Sequence, residues 1–131
     1  LNNPLFRGGG RVFGPQPRDY SFKLNKKVKK LARKSALTYR LSDNGIIVVD
    51  NLMFDDVKTR NIIELLDNFK LSNKKMILVV KEPNKNIYLS SRNLRDVKVI
   101  NACDLSTYDI MWASTLMFEK DSIDVLEKII A

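Results

Sequence analysis

Four short apolar runs set the tightest limit on how this chain folds: Ile46-Ile47-Val48-Val49, Met76-Ile77-Leu78-Val79-Val80, Val97-Lys98-Val99-Ile100 and Leu116-Met117-Phe118. A strand with one wet face alternates apolar and polar residues. Runs that are apolar nearly throughout, and rich in β-branched side chains, suit strands covered on both faces, the condition of a parallel sheet whose crossover helices lie above and below it. Helical spacing fills the intervals. Val57, Ile62, Leu65, Leu66 and Phe69 predict a helix over about 57–70, shorter helical patterns fall near 86–93 and 105–111, and Val125, Leu126, Ile129 and Ile130 predict a terminal helix over about 121–130. The expected fold is a three-layer α/β/α domain with a central, mainly parallel four-stranded sheet, spanning residues 24–131 and lacking internal repeats. A chain of 131 residues suffices for one such core.

The first 23 residues, LNNPLFRGGGRVFGPQPRDYSFK, carry four of the five glycines and three of the four prolines, without a sustained period. Glycine opens backbone conformations closed to other residues, and Pro15 and Pro17 stiffen the path against helix, so 1–23 reads as an extended Gly/Arg/Pro-rich arm. A helix over about 25–40 follows, with Asn25 as its N-cap and Val28, Leu31, Ala32 and Ser35 expected to face the domain.

Charge divides the chain at the end of that helix. Residues 1–40 hold Arg7, Arg11, Arg18, Lys23, Lys26, Lys27, Lys29, Lys30, Arg33, Lys34 and Arg40 against one acid, Asp19, whereas the remainder is slightly acidic, so the whole excess of +8 lies in the first third. Such asymmetry separates a polyanion-binding segment from a fold. In the arm, Arg7-Gly8-Gly9-Gly10-Arg11 with Phe6, Phe13, Arg18, Tyr20 and Lys23 has the parts of an RNA-binding segment: glycines for close backbone approach, arginines for forked phosphate contacts, rings for unpaired bases. In the helix, Lys26, Lys27, Lys30, Arg33 and Lys34 present charge at spacings of three and four, and no acid occurs from Ser21 through Ser42. A merely solvated helix face mixes both signs.

Other chemistries lack their residues. There is no histidine and one cysteine, Cys103, which removes the usual metal clusters, triads and any internal disulfide; Cys103 is expected to be a small buried residue in a reduced, intracellular protein. The glycine triplet lacks the Gly-Lys-Ser/Thr ending and preceding strand of a phosphate loop. Ser72-Asn73-Lys74-Lys75 and Ser42-Asp43-Asn44 echo β-lactamase motifs in the wrong order and at turns. Asp50, Asp55 and Asp56 lie where an α/β enzyme places its active site, and suggest as an alternative a metal- or nucleotide-binding domain of the receiver type, although solvation of a loop accounts for them. A third reading is an interaction module docking its arm on an acidic protein. Tyr108 and Trp112 are expected to be packing residues. No run approaches the roughly 18 apolar residues of a spanning helix, no secretory signal is visible, and the start on Leu1-Asn2-Asn3-Pro4 reads as that of a fragment.

The block FRGGGRVFGPQPRDYSFKLNKKVKKLARKSAL, residues 6–37, resembles the signature of the bacterial large-subunit ribosomal protein four family, and LSSRNLRDVKVINACDLSTYDI at 89–110 is similar to a second segment of that family. The resemblance implies a non-enzymatic constituent of the large ribosomal subunit in the cytoplasm, without cofactor. It implies binding to large-subunit rRNA beside neighbouring ribosomal proteins, a part in subunit assembly, no membrane and no homo-oligomer. It also implies a long loop directed to the peptide exit tunnel, of which residues 1–20 are the returning base, the preceding N-terminal region being absent here. Asn25 departs from the family, where proline is frequent at that place.

Overall fold

The computed structural model describes residues 2–54 and 56–130. In chain order the elements are α1 (Lys26–Ser42), β1 (Ile46–Val49), α2 (Thr59–Asn68), β2 (Met76–Val80), α3 (Lys85–Ser91), β3 (Val97–Asn101), a 3-10 turn (Ala102–Asp104), α4 (Thr107–Trp112), β4 (Thr115–Glu119) and α5 (Lys120–Ile130). Every apolar run picked out in the sequence is a strand. Boundaries shift where a cap overrides the apolar pattern. α4 begins two residues later than expected because Ser106 stands outside the helix and its hydroxyl accepts the Asp109 amide at 3.2 Å. α3 begins after Asn84, whose side chain accepts the amides of Asn86 and Ile87.

The strands lie in the order β1-β4-β2-β3, and all three pairings are parallel. Met76 pairs with Val97 on one side and with Thr115 on the other, and Ile46 with Leu116. Successive side chains point to opposite faces, so each strand feeds two cores. Ile77, Val79, Leu116 and Phe118 meet Ala36, Ile110, Ala113 and Leu126 on one face. Met76, Leu78, Val80 and Met117 meet Ile62, Leu66, Leu71 and Ile87 on the other. That is the three-layer arrangement the continuous apolar runs require. Fully buried side chains such as Ile62, Ile77 and Ile110 contribute roughly 1.5–3 kcal/mol each.

The connections explain which helix covers which face. β1 to β2 and β2 to β3 advance in one direction across the sheet, and their helices α2 and α3 share a face. The connection from β3 back over β2 to β4 reverses direction, and α4 accordingly lies on the opposite face, as a constant crossover hand demands.

α1 reaches β1 through a tight C-terminal turn. The amides of Asn44 and Gly45 donate to the carbonyls of Leu41 (3.1 Å) and Arg40 (2.8 Å), closing a Schellman motif with Asn44 in the left-handed region at φ 54°. Gly45 itself is fixed by close approach. A Cβ there would stand 2.7 Å from the Ser114 carbonyl oxygen, in a place where Gly45 accepts the Leu116 amide at 2.7 Å. α2 ends the same way, with Lys70 at φ 57° and the Leu71 amide donating to Leu66 at 2.8 Å.

Candidate nucleic-acid interface

α1 is a 17-residue helix anchored by its second half. Ala36 is 4% exposed and sits in the core, and Leu37 packs beside it. The Arg40 guanidinium donates from Nε to the Ile110 carbonyl (3.0 Å) and from Nη2 to the Met111 carbonyl (2.8 Å), so it clasps the last turn of α4, where unpaired carbonyls concentrate partial negative charge. Its ion pair with Asp43, at 3.9 Å, is the lesser bond.

That clasp and the packing of Ala36 and Leu37 together set the rotation of the helix, and correct the expected inner face. Positions 33, 36, 37 and 40 turn towards the domain; Val28 and Leu31 remain 48% and 67% exposed, and Ala32 and Ser35 are exposed too. Lys30 and Arg33 are half-buried along the inner side, while Lys26, Lys27 and Lys34 stand in solvent. At 100° per residue, Lys26, Lys27, Lys30 and Lys34 still fall within one arc of the helix. The basic stripe is therefore real, but it borders the domain, and the apolar residues of the first half of α1 face outward.

Asn25 occupies the N-cap with extended backbone, yet its side chain accepts no capping hydrogen bond, and the first turn holds no acid. Lys26, Lys27 and Lys29 thus crowd the positive end of the helix dipole, an arrangement that costs a few tenths of a kcal/mol per charge, roughly, and favours an external anion.

The arm ahead of α1 has two parts. Residues 2–10 turn back on themselves, with the Phe6 amide donating to Asn3, the Gly9 amide to Phe6 and the Gly10 amide to Asn2, at 2.9–3.2 Å. Gly9 is obligatory there, because a Cβ would overlap the Asn3 carbonyl oxygen at 1.9 Å. From Pro15 to Asn25 no helix or strand forms. Arg7, Gly8, Gly10, Arg11, Arg18 and Lys23 are exposed and Gly9 is partly covered; Phe13 is 99% exposed, and Tyr20 is open except where the Arg18 guanidinium stacks 4.2 Å from its ring centroid. Asp19, the one acid of this region, accepts the Ser21 amide (2.8 Å) and hydroxyl (2.7 Å), which hold its carboxyl below the ordinary 3.8.

One electrostatic fact unites arm and helix. Among the described residues, ion pairs join Arg40 to Asp43, Lys58 to Asp56, Arg60 to Glu64, Lys81 to Asp121 and Lys98 to Asp109. None involves Arg7, Arg11, Arg18, Lys23, Lys26, Lys27, Lys30, Arg33 or Lys34. Among the described residues no carboxylate answers these nine cations, whereas five of the other fourteen bases find one.

The carboxylates near the end of β1 are not assembled into a comparable site. Asp50 is exposed; Asp56 is held by Lys58 at 2.6 Å, which keeps its carboxyl below the ordinary value; Asp55 lies outside the described residues. A polar cleft of about 410 Å³ does open at the C-terminal edge of β2 and β4, lined by Lys81, Asn84, Glu119 and Asp121 among others, but neither Asp50 nor Asp56 lines it. Glu119 there already accepts the Lys81 amide at 2.9 Å, and the Lys81 ammonium pairs with Asp121 at 3.6 Å. Among the described residues no group of three or more metal-ligating side chains comes together. Cys103, expected to be buried, is exposed on the 3-10 turn, since that turn directs its neighbour Ala102 inward instead. Tyr108 is also misjudged by the sequence: it is 71% exposed, whereas Trp112 packs partly against the core.

Comparison with known proteins decides the lineage. The model of the ribosomal protein L4/L1 family matches residues 1–129. The chain belongs to that family. Its relatives include the large ribosomal subunit protein uL4 of Phocaeicola vulgatus, 47% identical over 131 residues, which are all of this chain and 63% of the relative. The uL4 of Christiangramia forsetii is 47% identical over 97% of this chain and 61% of its own length, and that of Parabacteroides distasonis 48% identical over 98% and 61%. The chain thus spans about three fifths of the length of these relatives. The L4/L1 match takes in the arm and α1 as well as the domain, so the basic segment is part of the family's own body.

Proposed function

We propose that this member of the L4/L1 family is a structural constituent of the large ribosomal subunit that grips large-subunit rRNA with its arm and α1. The observation that carries the reading is a set of nine cations that have no carboxylate partner among the described residues, set on glycine-rich backbone and on a helix end that itself attracts anions. Arg7, Arg11, Arg18, Lys23, Lys26, Lys27, Lys30, Arg33 and Lys34 neutralise phosphates. Gly8, Gly9 and Gly10 let the backbone approach them, and Phe13 and Tyr20 pack on sugars or bases.

In this reading the domain of residues 24–131 is the anchor that holds α1 in register through Arg40, and residues 1–23 are the RNA-binding base of a loop directed to the peptide exit tunnel. The partners are rRNA and adjacent proteins of the subunit, the place is the cytoplasmic ribosome, and the contribution is to subunit assembly rather than catalysis. Replacing Lys26, Lys27 and Lys34 by glutamate tests it. Co-sedimentation with the large subunit is expected to be lost while the thermal midpoint stays within a few degrees, because all three side chains stand in solvent. Retention on the subunit after those reversals, or retention after the RNA has been digested by nuclease, defeats the reading; the second result points to an acidic protein as the partner.

A further inference from the structure

α4 carries a second cluster of cations and rings, remote in sequence from the arm. Tyr108 and Trp112 are four residues apart and so lie on one side of the helix. Lys98, on the edge strand β3, places its ammonium 5.8 Å from the Tyr108 ring centroid and 4.4 Å from that of Trp112. Lys75, just ahead of β2, places its ammonium 5.4 Å from the Trp112 ring centroid. The acid within reach is Asp109, 3.7 Å from Lys98, and Asp109 is also engaged by the Ser106 hydroxyl. Lys75 has no carboxylate partner among the described residues. Tyr108 presents most of its surface to water, which core packing does not explain.

We infer that this cluster is a nucleotide-stacking site: the Tyr108–Trp112 pair receives an unpaired RNA base, and Lys75 and Lys98 take the phosphates that flank it. In the free protein the ammonium groups rest on the ring faces, a contact weak enough at an exposed site to be exchanged for a phosphate. A base offers the vacated rings a larger flat partner, and stacking of this kind accepts any base because each has a π-face. Arg40 ties the site to the first interface, since its guanidinium holds the carbonyls of Ile110 and Met111, inside the same helix turn as the rings. α1 is therefore tied directly to the helix that carries the two rings. This inference rests on the chain being an RNA binder and adds a contact that the arm and α1 do not supply.

Trp112 is the sole tryptophan, so its emission reports on this site alone. The probe is a labelled oligoadenylate, followed by the anisotropy of its label for total binding and by Trp112 emission for the site. Emission is expected to fall roughly twofold at saturation, and Tyr108→Ala to weaken binding by about fivefold or more with an unaltered melting curve. Lys75→Ala together with Lys98→Ala is expected to lower the salt slope of binding by about 1.4, at ~0.7 per single-strand contact. Inorganic polyphosphate is expected to bind while leaving Trp112 emission nearly unchanged. Binding by anisotropy with no change in Trp112 emission, and with Tyr108→Ala equal to the parent, overturns the stacking site and leaves the arm and helix reading intact. Equal quenching by polyphosphate or by polyglutamate overturns base recognition in favour of a polyanion or acidic-protein contact. Absence of any binding removes both readings together.

Discussion

Salt dependence offers the sharpest quantitative test of the proposed interface. If the nine cations of the arm and α1 assigned to RNA meet phosphates, the slope of log affinity against log salt on duplex RNA reaches about −8, at ~0.9 per contact on B-DNA taken as the guide. Raising salt from 0.1 to 0.3 M then weakens binding by about 10⁴-fold. Changing Lys26, Lys27 and Lys34 to glutamine removes up to three contacts, brings the slope to about −5.4, and reduces the loss over the same interval to about 400-fold. The parent and variant curves must converge as salt rises, because only the electrostatic part differs. Fold stability should move the opposite way. Lys26–Lys30 and Lys30–Lys34 are like-charge pairs at i,i+4, and Lys26 and Lys27 oppose the helix dipole, so the variant gains a few tenths of a kcal/mol per relieved contact, roughly. Filter binding over a salt series and thermal melts at low salt measure the two. A variant slope equal to the parent's refutes phosphate contact by these lysines; a lowered melting point shows that they were structural.

The remaining predictions probe the scaffold. Lys70→Gly, at a left-handed position that suits glycine, should stabilise the domain by roughly 0.5–1 kcal/mol in urea unfolding; destabilisation means that the Lys70 side chain holds something in place. Gly45→Ala should cost about 1–3 kcal/mol, because its Cβ meets the Ser114 oxygen at 2.7 Å and β1 or β4 must shift; an unaffected melting curve shows a turn softer than described. Arg40→Ala should cost about 2 kcal/mol, as two charge-assisted bonds to α4 are lost, and should broaden the amide signals of α1 before those of the sheet. Asp19 supplies a pH test. Its carboxyl is held below 3.8 by the Ser21 amide and hydroxyl, so the Asp19–Ser21 turn is intact above that value and opens only as pH falls through the lower folded value; a Ser21 amide shift that already titrates above pH 5 contradicts it.

What the sequence made legible and what it hid follow from different physics. The strands were readable because burial on both faces leaves an unbroken apolar run, and that run also implied the layering of helices about the sheet. The rotation of α1 was not. Val28, Leu31, Ala32 and Ser35 have the spacing of an inward face, but the helix is turned by its second half, where Ala36 and Leu37 enter the core and Arg40 holds the carbonyls of Ile110 and Met111. Sequence spacing registers apolar stripes and is blind to a guanidinium that finds a helix end 70 residues away. The same blindness concealed the α4 cluster. Lys75, Lys98, Tyr108 and Trp112 come from three separate segments, and only the parallel sheet, by setting β3 beside β2 and returning the chain through α4, brings their charges onto the rings. The basic arm and helix could be recognised because their charge is contiguous along the chain. A binding surface assembled by topology leaves no such run, and here it requires the order β1-β4-β2-β3 before its residues can be seen as neighbours at all.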